Sequence, residues 1–200
     1  MVNTNKPYID HFKSNLDSKP KNNTSDTEIW DSFRSGSESA FITIYQNFFD
    51  KLYAYGWKIS NSEDLVKDAI QDLFIELRKN RAKLGQTNSI KFYLFKSLKR
   101  KLIKEEGKWY SNLESIDANY FFDFNFSPEQ LLIDRQMDEE RTKKLNHAIR
   151  HLSPRKKEVI YYYFYEELSY KEIQEIMNLD NIKSVRNLIY KSISFLRETF

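Results

Sequence analysis

The chain has 200 residues and a mass of 24.1 kDa, enough for one mid-sized domain or two small ones with a core in each. It contains only four glycines and four prolines, which disfavours glycine-rich phosphate loops and favours long helices. It contains no cysteine, which excludes disulfide scaffolds, thiol nucleophiles and cysteine-ligated zinc. No apolar run approaches the ~20 residues that a membrane span needs, so we expect a cytoplasmic protein with no membrane partner.

The first half of the chain predicts a leader followed by helices. Residues 1–26 are polar, with no signal-peptide-like stretch, and predict disorder. From Thr27 apolar residues recur at steps of three and four, which indicates a helix. A second helix is predicted over about 62–79. A third is predicted over about 89–106, with a stop near Gly107.

The second half predicts a linker and then more helices. Residues 110–128 alternate aromatic side chains with acids and asparagines and show no helical stripe, although so aromatic a linker should not be solvated. Helices are expected to resume at 129. New helices are predicted at Ser153, which precedes a proline, and at Ser169, which can form a capping box with the glutamate three residues later. A turn at 178–181 leads into the last helix.

The predicted fold class is therefore all-α. Two small helical domains are expected, over residues 27–109 and 129–200, with the leader over 1–26 and an acidic-aromatic linker over 110–128. The carboxyl-terminal domain is predicted to be a helix-turn-helix.

Charge is segregated along the chain, although the formal net charge is only +3. Residues 61–77 hold five acids and one base, whereas residues 91–108 hold seven bases and two acids. Residues 111–140 hold eight acids and one base, and the last twenty residues hold four bases and one acid. Alternating blocks of this kind indicate several partners of different sign.

The helix-turn-helix at residues 169–200 is the strongest local signal. A short helix with an apolar face is followed by a turn and a second helix that can pack on it. The opposite face of the last helix carries residue types that suit phosphates and base edges. The predicted DNA-binding residues there are Lys183, Arg186, Asn187, Tyr190 and Lys191. The competing interpretation is a plain helical hairpin with a solvated basic face.

The helix predicted over 89–106 presents a second basic surface. Its apolar stripe consists of Leu94, Phe95, Leu98 and Leu102. The other face combines an aromatic ring with bases, which suits phosphates and an unstacked base. These predicted DNA-binding residues are Tyr93, Lys96, Arg100 and Lys104, with Lys99 at the margin. A solvated lysine face with one stray tyrosine explains the pattern equally well.

The helix predicted over 62–79 has an acidic outer face. An acidic face does not suit DNA, and Ile75 is an apolar side chain on that outer side. The combination indicates a protein partner with a basic surface. A solubilising acidic face is the simpler alternative.

Catalysis is not expected from this sequence. His147 and His151 are spaced i, i+4, but no glutamate follows His147 as in the zincin pattern, so a solvent-facing pair is the better interpretation. The acid pairs show no sign of the burial that general acid–base chemistry needs. We therefore predict a protein that is not an enzyme and needs no metal or cofactor.

Five segments in chain order resemble bacterial RNA polymerase sigma factors of the extracytoplasmic-function group, within the sigma-70 family. Residues 63–74 resemble the family's EDLVQEVFLRLW helix, and residues 91–100 its RAWLYR…RN segment. Residues 127–129 match the SPE that opens the second domain. Residues 152–160 resemble LPPRQREVL, and residues 168–173 resemble LSYEEI. Each motif is modest alone, but five at family spacing are specific.

The resemblance implies a sigma factor that directs promoter-specific transcription initiation. Its partners would be core RNA polymerase (the β′ clamp coiled coil and the β subunit), promoter DNA and, in some members, an anti-sigma factor. The chain would be a monomer within the holoenzyme. The basic helix would help to open the −10 element, the helix-turn-helix would read the −35 element, and the linker would run through the polymerase cleft. The implied polymerase-binding residues are Asp64, Asp68, Gln71, Asp72 and Ile75.

Three departures from the family pattern affect these surfaces. Lys67 replaces a glutamine in the docking helix, and Arg100 and Lys104 replace the usual asparagine and aspartate in the DNA-facing helix. Two other hypotheses remain at this point. A free-standing helix-turn-helix regulator would leave the acidic helix unexplained, and a helical adaptor that binds only proteins would leave the basic face of the last helix unexplained.

Overall fold

The computed structural model describes residues 24–109, 121–124 and 139–199, and within these ranges it contains eight α-helices and no strand. The predicted all-α class is confirmed. The first four helices are α1 (Thr24–Arg34), α2 (Glu38–Ile59), α3 (Glu63–Asn80) and α4 (Ile90–Trp109). A 3₁₀ turn, Arg81–Lys83, follows α3.

The last four helices are α5 (Glu139–Arg150), α6 (Pro154–Ile160), α7 (Tyr170–Ile176) and α8 (Ile182–Thr199). A π-helical turn, Tyr161–Tyr165, continues directly from α6. The predicted resumption of helix at 129 and most of the predicted linker lie outside the described residues, as does the leader before residue 24.

Two predicted helix limits were wrong. The helical pattern that starts at Thr27 is divided into two helices, α1 and α2. Between them Gly36 adopts φ +103°, a backbone conformation that residues other than glycine rarely adopt. Ser37 then caps α2 by accepting a hydrogen bond from the Ala40 amide at 3.2 Å. At the other end, α4 does not stop near Gly107 but continues to Trp109.

The helices α1 to α4 pack around a large apolar core. The predicted stripe of α4 is fully buried, and α3 buries Val66, Ala69, Ile70, Leu73, Phe74 and Leu77. Trp30 is also fully buried, and its indole nitrogen donates a hydrogen bond to the Gly85 carbonyl at 2.8 Å. This bond attaches the loop before α4 to α1.

The core continues without interruption into the carboxyl-terminal helices. Tyr55 of α2 stacks on Phe95 of α4 with ring centroids 4.3 Å apart, and it also lies 6.2 Å from the ring of Tyr161. Phe122 and Phe124, from the predicted linker, are buried, with only 1% and 4% of their surface exposed. These two linker aromatics are therefore shielded from water by the chain's own helices, whereas Phe121 is 36% exposed.

Candidate nucleic-acid and protein-binding surfaces

The start of α7 is fixed by a capping box. Ser169 accepts a hydrogen bond from the Glu172 amide at 3.3 Å, and the Glu172 carboxylate accepts one from the Ser169 amide at 2.8 Å. Both groups would otherwise be unpaired donors at a helix end. The capping box predicted from the sequence is confirmed.

The turn between α7 and α8 depends on two asparagines. Asn178 has φ +49°, in the left-handed region that asparagine tolerates better than most residues. Asn181 caps α8, because its side-chain oxygen accepts a hydrogen bond from the Ser184 amide at 2.9 Å. The Leu179 amide donates to the Gln174 carbonyl at 2.9 Å and closes the turn. The predicted turn is present, and it sets the direction in which α8 leaves α7.

The inner faces of α7 and α8 are packed together. Ile173 and Ile176 of α7 and Val185 and Ile189 of α8 are buried at 5% exposure or less. Because these residues form one stripe, the opposite face of α8 is directed to solvent, with Tyr190 exposed by 69%. The structure places on that exposed face all five predicted residues, Lys183, Arg186, Asn187, Tyr190 and Lys191.

Arg186 is held in place by an aromatic neighbour. Its guanidinium carbon lies 5.3 Å from the centroid of the Tyr170 ring, and Tyr170 stacks on Tyr163 at 5.4 Å. A cation–π contact of this kind restricts an otherwise flexible side chain. Sequence reasoning did not find Tyr170, because no periodic pattern connects the first residue of α7 with α8.

The predicted DNA-facing side of α4 is only partly open to solvent. Arg100 and Lys104 are exposed. Tyr93 is half-buried, its ring centroid lies 4.9 Å from that of Trp30, and this burial raises the pKa of its phenol. Lys96 is half-buried, and Lys99 is only 8% exposed. The five residues share one helix, but the structure does not present them as one open surface.

The lysines of α4 are engaged by the carboxyl-terminal helices. Lys96 pairs with Glu175 of α7 at 2.8 Å. Lys99 pairs with Glu158 of α6 at 2.6 Å and also donates to the Ile176 carbonyl at 3.1 Å. These are contacts between segments about 60 to 80 positions apart in sequence, and the sequence carried no signal for them.

A buried polar network surrounds the Lys99–Glu158 pair. Tyr162 donates a hydrogen bond to Glu158 at 2.7 Å, and the hydroxyl of Tyr55 is in turn hydrogen-bonded to that of Tyr162. Burial and the Glu158 charge raise the pKa of Tyr55 well above its usual value. Glu158 is 1% exposed, although in the sequence it follows three basic residues and suggests a surface position.

The acidic outer face of α3 is exposed as expected. The structure places in solvent all five implied docking residues, Asp64, Asp68, Gln71, Asp72 and Ile75. Ile75 is exposed by 55%, which is unusual for a large aliphatic side chain among charged neighbours. On α2, Ile42 and Tyr45 are exposed by 52% and 42%, and the Tyr45 ring contacts Phe74 with centroids 4.8 Å apart. Exposed apolar surface is therefore wider than the sequence indicated.

Lys67, the departure within α3, is drawn toward the start of its own helix. Its ammonium lies 2.6 Å from Glu63, which also accepts a hydrogen bond from Tyr53 at 3.1 Å. The pair lowers the pKa of the Glu63 carboxyl and raises that of the Lys67 amine. Because Glu63 pairs with Lys67, it partly compensates the charge of the lysine. This compensation does not need an ion pair with Asp64 or Asp68.

The described residues also bear on two further questions, whether there is a metal site and whether a helix could span a membrane. His147 and His151 lie with their Nε2 atoms 3.3 Å apart, but no group of three or more His, Cys, Asp or Glu that could hold a metal occurs within 24–109, 121–124 and 139–199. In the same ranges no helix is both long enough and apolar enough to cross a membrane.

The described architecture is all-helical, and its carboxyl-terminal helix-turn-helix presents a basic face. Residues 142–196 match the sequence profile of the family described as sigma-70, region 4. These residues include the whole of α6 and α7 and most of α8. No curated protein sequence matches the chain significantly.

Two solved structures are similar to the whole arrangement. The sigma factor RpoE of Bartonella quintana, in complex with the anti-sigma factor NepR, has a TM-score of 0.54 and 17% identity, covering 80% of this chain and 95% of that one. CnrH, in complex with the cytosolic domain of CnrY, has a TM-score of 0.54 and 16% identity, covering 86% of this chain and 95% of that one. Residues 142–196 therefore carry a sigma-70 region 4 domain, and the fold of the chain is similar to that of these two proteins.

Proposed function

We propose that the chain is a sigma factor that binds core RNA polymerase and directs transcription initiation from specific promoters, with α8 reading the −35 element. The observation that carries the proposal is the exposed face of α8. Its five predicted residues are exposed, outside the buried stripe between α7 and α8, and Arg186 is held against Tyr170 of α7 at 5.3 Å. Arginine and asparagine can each make bidentate contacts to base edges in the major groove.

The outer face of α3 is proposed as the polymerase-docking surface. Three carboxylates and an exposed isoleucine on one helical face are complementary to a basic surface with an apolar pocket. The β′ clamp coiled coil is the partner that the family resemblance implies for this helix, with the β subunit as a further contact. The Lys67–Glu63 ion pair supports the proposal, because it keeps the one lysine of this face occupied at 2.6 Å.

The proposed mechanism involves positioning, neutralisation of phosphates and trapping of unpaired bases, with no chemical step and no cofactor. The bases of α4 would contact the −10 element once the promoter opens. We place the protein in the cytoplasm as a monomer within the holoenzyme. An anti-sigma factor is a further proposed partner, since RpoE of Bartonella quintana was solved with one.

Recognition of the −35 DNA sequence by α8 is tested by measuring initiation by reconstituted holoenzyme on promoters selected with the wild-type protein. Alanine at Arg186 or Asn187 should weaken binding to the selected −35 sequence by roughly 1–3 kcal/mol and relax specificity there. Arg197→Ala, an exposed arginine in the last turn of α8, is the matched control. An equal loss on promoters with a scrambled −35 element would show that Arg186 and Asn187 touch only phosphate.

A further inference from the structure

Five consecutive aromatic residues form the π-helical turn Tyr161–Tyr165, which continues from α6. The first two rings belong to the core, because Tyr161 and Tyr162 are exposed by only 1% and 0%. The third ring, that of Tyr163, is half-buried and lies beside the start of α7. Part of the Tyr163 ring is therefore open to a neighbour from α7.

The chain returns to Tyr163 at the start of α7. The Leu168 amide donates a hydrogen bond to the Tyr162 carbonyl at 2.9 Å, which closes the turn after the aromatic run. The capping box of Ser169 then fixes the first turn of α7, whose first residue is Tyr170. The Tyr163 and Tyr170 rings are parallel to within 8°, with centroids 5.4 Å apart, a separation typical of stacked aromatic pairs. The Tyr170 ring is therefore supported by the Tyr163 ring.

Arg186 of α8 rests against the same tyrosine. Its guanidinium carbon lies 5.3 Å from the centroid of the Tyr170 ring, and its side chain is otherwise exposed on the face of α8 that is proposed to read DNA. A cation held over a ring uses its charge, so the N–H donors at the edge of the planar guanidinium stay available for a base. The contact with Tyr170 can therefore persist while Arg186 binds DNA.

Holding Arg186 in one position changes what DNA binding costs. A long exposed side chain samples many rotamers, and those that cannot reach the base must be given up on binding. This entropic cost weakens recognition of the base pair that Arg186 contacts, whereas contacts of other side chains to phosphate do not depend on it. A ring that restricts Arg186 beforehand therefore strengthens discrimination at that base pair alone.

We propose that Tyr170, supported by Tyr163, is a positioning residue for DNA recognition. It orders Arg186 in the free protein and thereby sets how strongly the protein discriminates the base pair that Arg186 contacts. Tyr170 acts through Arg186 and needs no base contact of its own. The inference rests on the proposed function, because it requires that α8 contacts promoter DNA.

The test separates the ring of Tyr170 from its bulk and from its hydroxyl group. Tyr170→Leu removes the ring and keeps an apolar side chain, whereas Tyr170→Phe keeps the ring and removes only the hydroxyl. Binding of reconstituted holoenzyme is measured on a promoter selected with the wild-type protein and on a set in which each −35 base pair is changed singly. Discrimination is the ratio of the two binding constants, and Arg186→Ala identifies the base pair at which it depends on Arg186.

Tyr170→Leu should lower discrimination at the Arg186-dependent base pair by about two- to fivefold, the factor that a cation–π contact at an exposed site contributes. The other −35 base pairs should keep their wild-type discrimination, and Tyr170→Phe should keep it at every pair. Unchanged discrimination in Tyr170→Leu, an equal loss at all −35 base pairs, or an equal loss in Tyr170→Phe would overturn the inference. An equal loss at all pairs is what a merely structural role of the ring predicts.

A double-mutant cycle shows whether Tyr170 acts through Arg186. In an Arg186→Ala background, Tyr170→Leu should cause no further loss of discrimination, whereas in a Lys191→Ala background it should cause the full two- to fivefold loss. The same loss in both backgrounds would overturn the inference. If Tyr170→Leu loses its helical circular dichroism, Tyr163→Leu replaces it, because it removes only the support of the Tyr170 ring; it should lower discrimination at the same base pair, and no loss there would overturn the inference.

Failure of this inference is separable from failure of the proposed function. Wild-type holoenzyme that selects a −35 sequence, combined with wild-type discrimination in Tyr170→Leu, rejects the positioning role and leaves the sigma function standing. If Arg186→Ala alters discrimination at no base pair, the positioning role is rejected together with base recognition by Arg186. A wild-type chain that neither binds polymerase nor supports initiation rejects the proposed function itself.

Discussion

At Gly56 the helix α2 packs tightly against Val66 of α3, and this contact yields a sharp prediction about the fold. A Cβ atom at this position would lie 2.6 Å from Cγ1 and 3.3 Å from Cγ2 of Val66. Carbon atoms in contact are normally about 3.5–4.0 Å apart, so one of the helices would have to move by about 1 Å. Val66 is fully buried and cannot turn to solvent.

Two opposing effects decide the free energy of unfolding for Gly56→Ala. Alanine is favoured over glycine inside a helix by about 1 kcal/mol. Overpacking a tight core costs typically about 1–3 kcal/mol, and the 2.6 Å approach lies well inside normal contact distance. We therefore expect a net loss of about 1 kcal/mol. The displacement would also move α3, which carries the proposed docking face.

A second substitution, Val66→Ala, should reverse the sign of the stability change caused by Gly56→Ala. Val66→Ala removes both clashing methyl groups, so in that background Gly56→Ala should stabilise the protein by about 1 kcal/mol. Urea denaturation followed by far-ultraviolet circular dichroism measures all four corners of the cycle. Gly85→Ala is the matched control, because nothing lies within 4 Å of its added Cβ. Stabilisation by Gly56→Ala to the same extent in both backgrounds would refute the reasoning about this contact.

Two further predictions concern the tyrosine cluster and the turn of the helix-turn-helix. Burial raises the phenol pKa of Tyr55, Tyr93 and Tyr161. The protonated phenols therefore stabilise the folded protein below pH 10, the approximate pKa of tyrosine in the unfolded chain, and this stabilisation is lost as the pH rises above that value. In a near-ultraviolet titration, at least two of the thirteen tyrosines, the buried Tyr55 and Tyr161, should ionise only together with alkaline unfolding; complete titration near pH 10 in the folded protein would contradict this. At Asn178, with φ +49°, Asn178→Gly should leave the urea midpoint nearly unchanged, whereas Asn178→Val should destabilise by about 1–2 kcal/mol; equal midpoints for the two variants would contradict the left-handed turn.

The elements that the sequence predicted well are those with local physical causes. The capping box of Ser169 and the turn at 178–181 depend on residues a few positions apart, and both are present. The apolar stripes of α4 and α8 follow from helical periodicity alone. The exposed faces of α3 and α8 are the complements of those stripes, so their exposure could be predicted in the same way, although their contacts to polymerase and DNA stay predictions.

The features that the sequence did not predict depend on distant residues. Glu158 sits in a run of basic residues that indicates a surface, yet it is buried because Lys99, from a helix 59 positions earlier, meets it at 2.6 Å. Phe122 belongs to a segment without periodicity, so the sequence does not indicate that its ring contacts those of Tyr161 and Tyr162 in the folded chain. The break at Gly36 was missed because the apolar spacing on its two sides allows one continuous helix.

The central claim is that this chain docks on core RNA polymerase through the acidic face of α3. Its most direct test is co-elution of the full-length chain with core polymerase in size-exclusion chromatography. The account predicts that the wild type co-elutes and that Asp64→Lys/Asp68→Lys does not. Glu28→Lys/Asp50→Lys, which makes the same change of charge at exposed positions on α1 and α2, should co-elute like the wild type. A wild-type chain that elutes apart from polymerase would contradict the sigma-factor account, and a charge reversal that still co-elutes would contradict docking through α3.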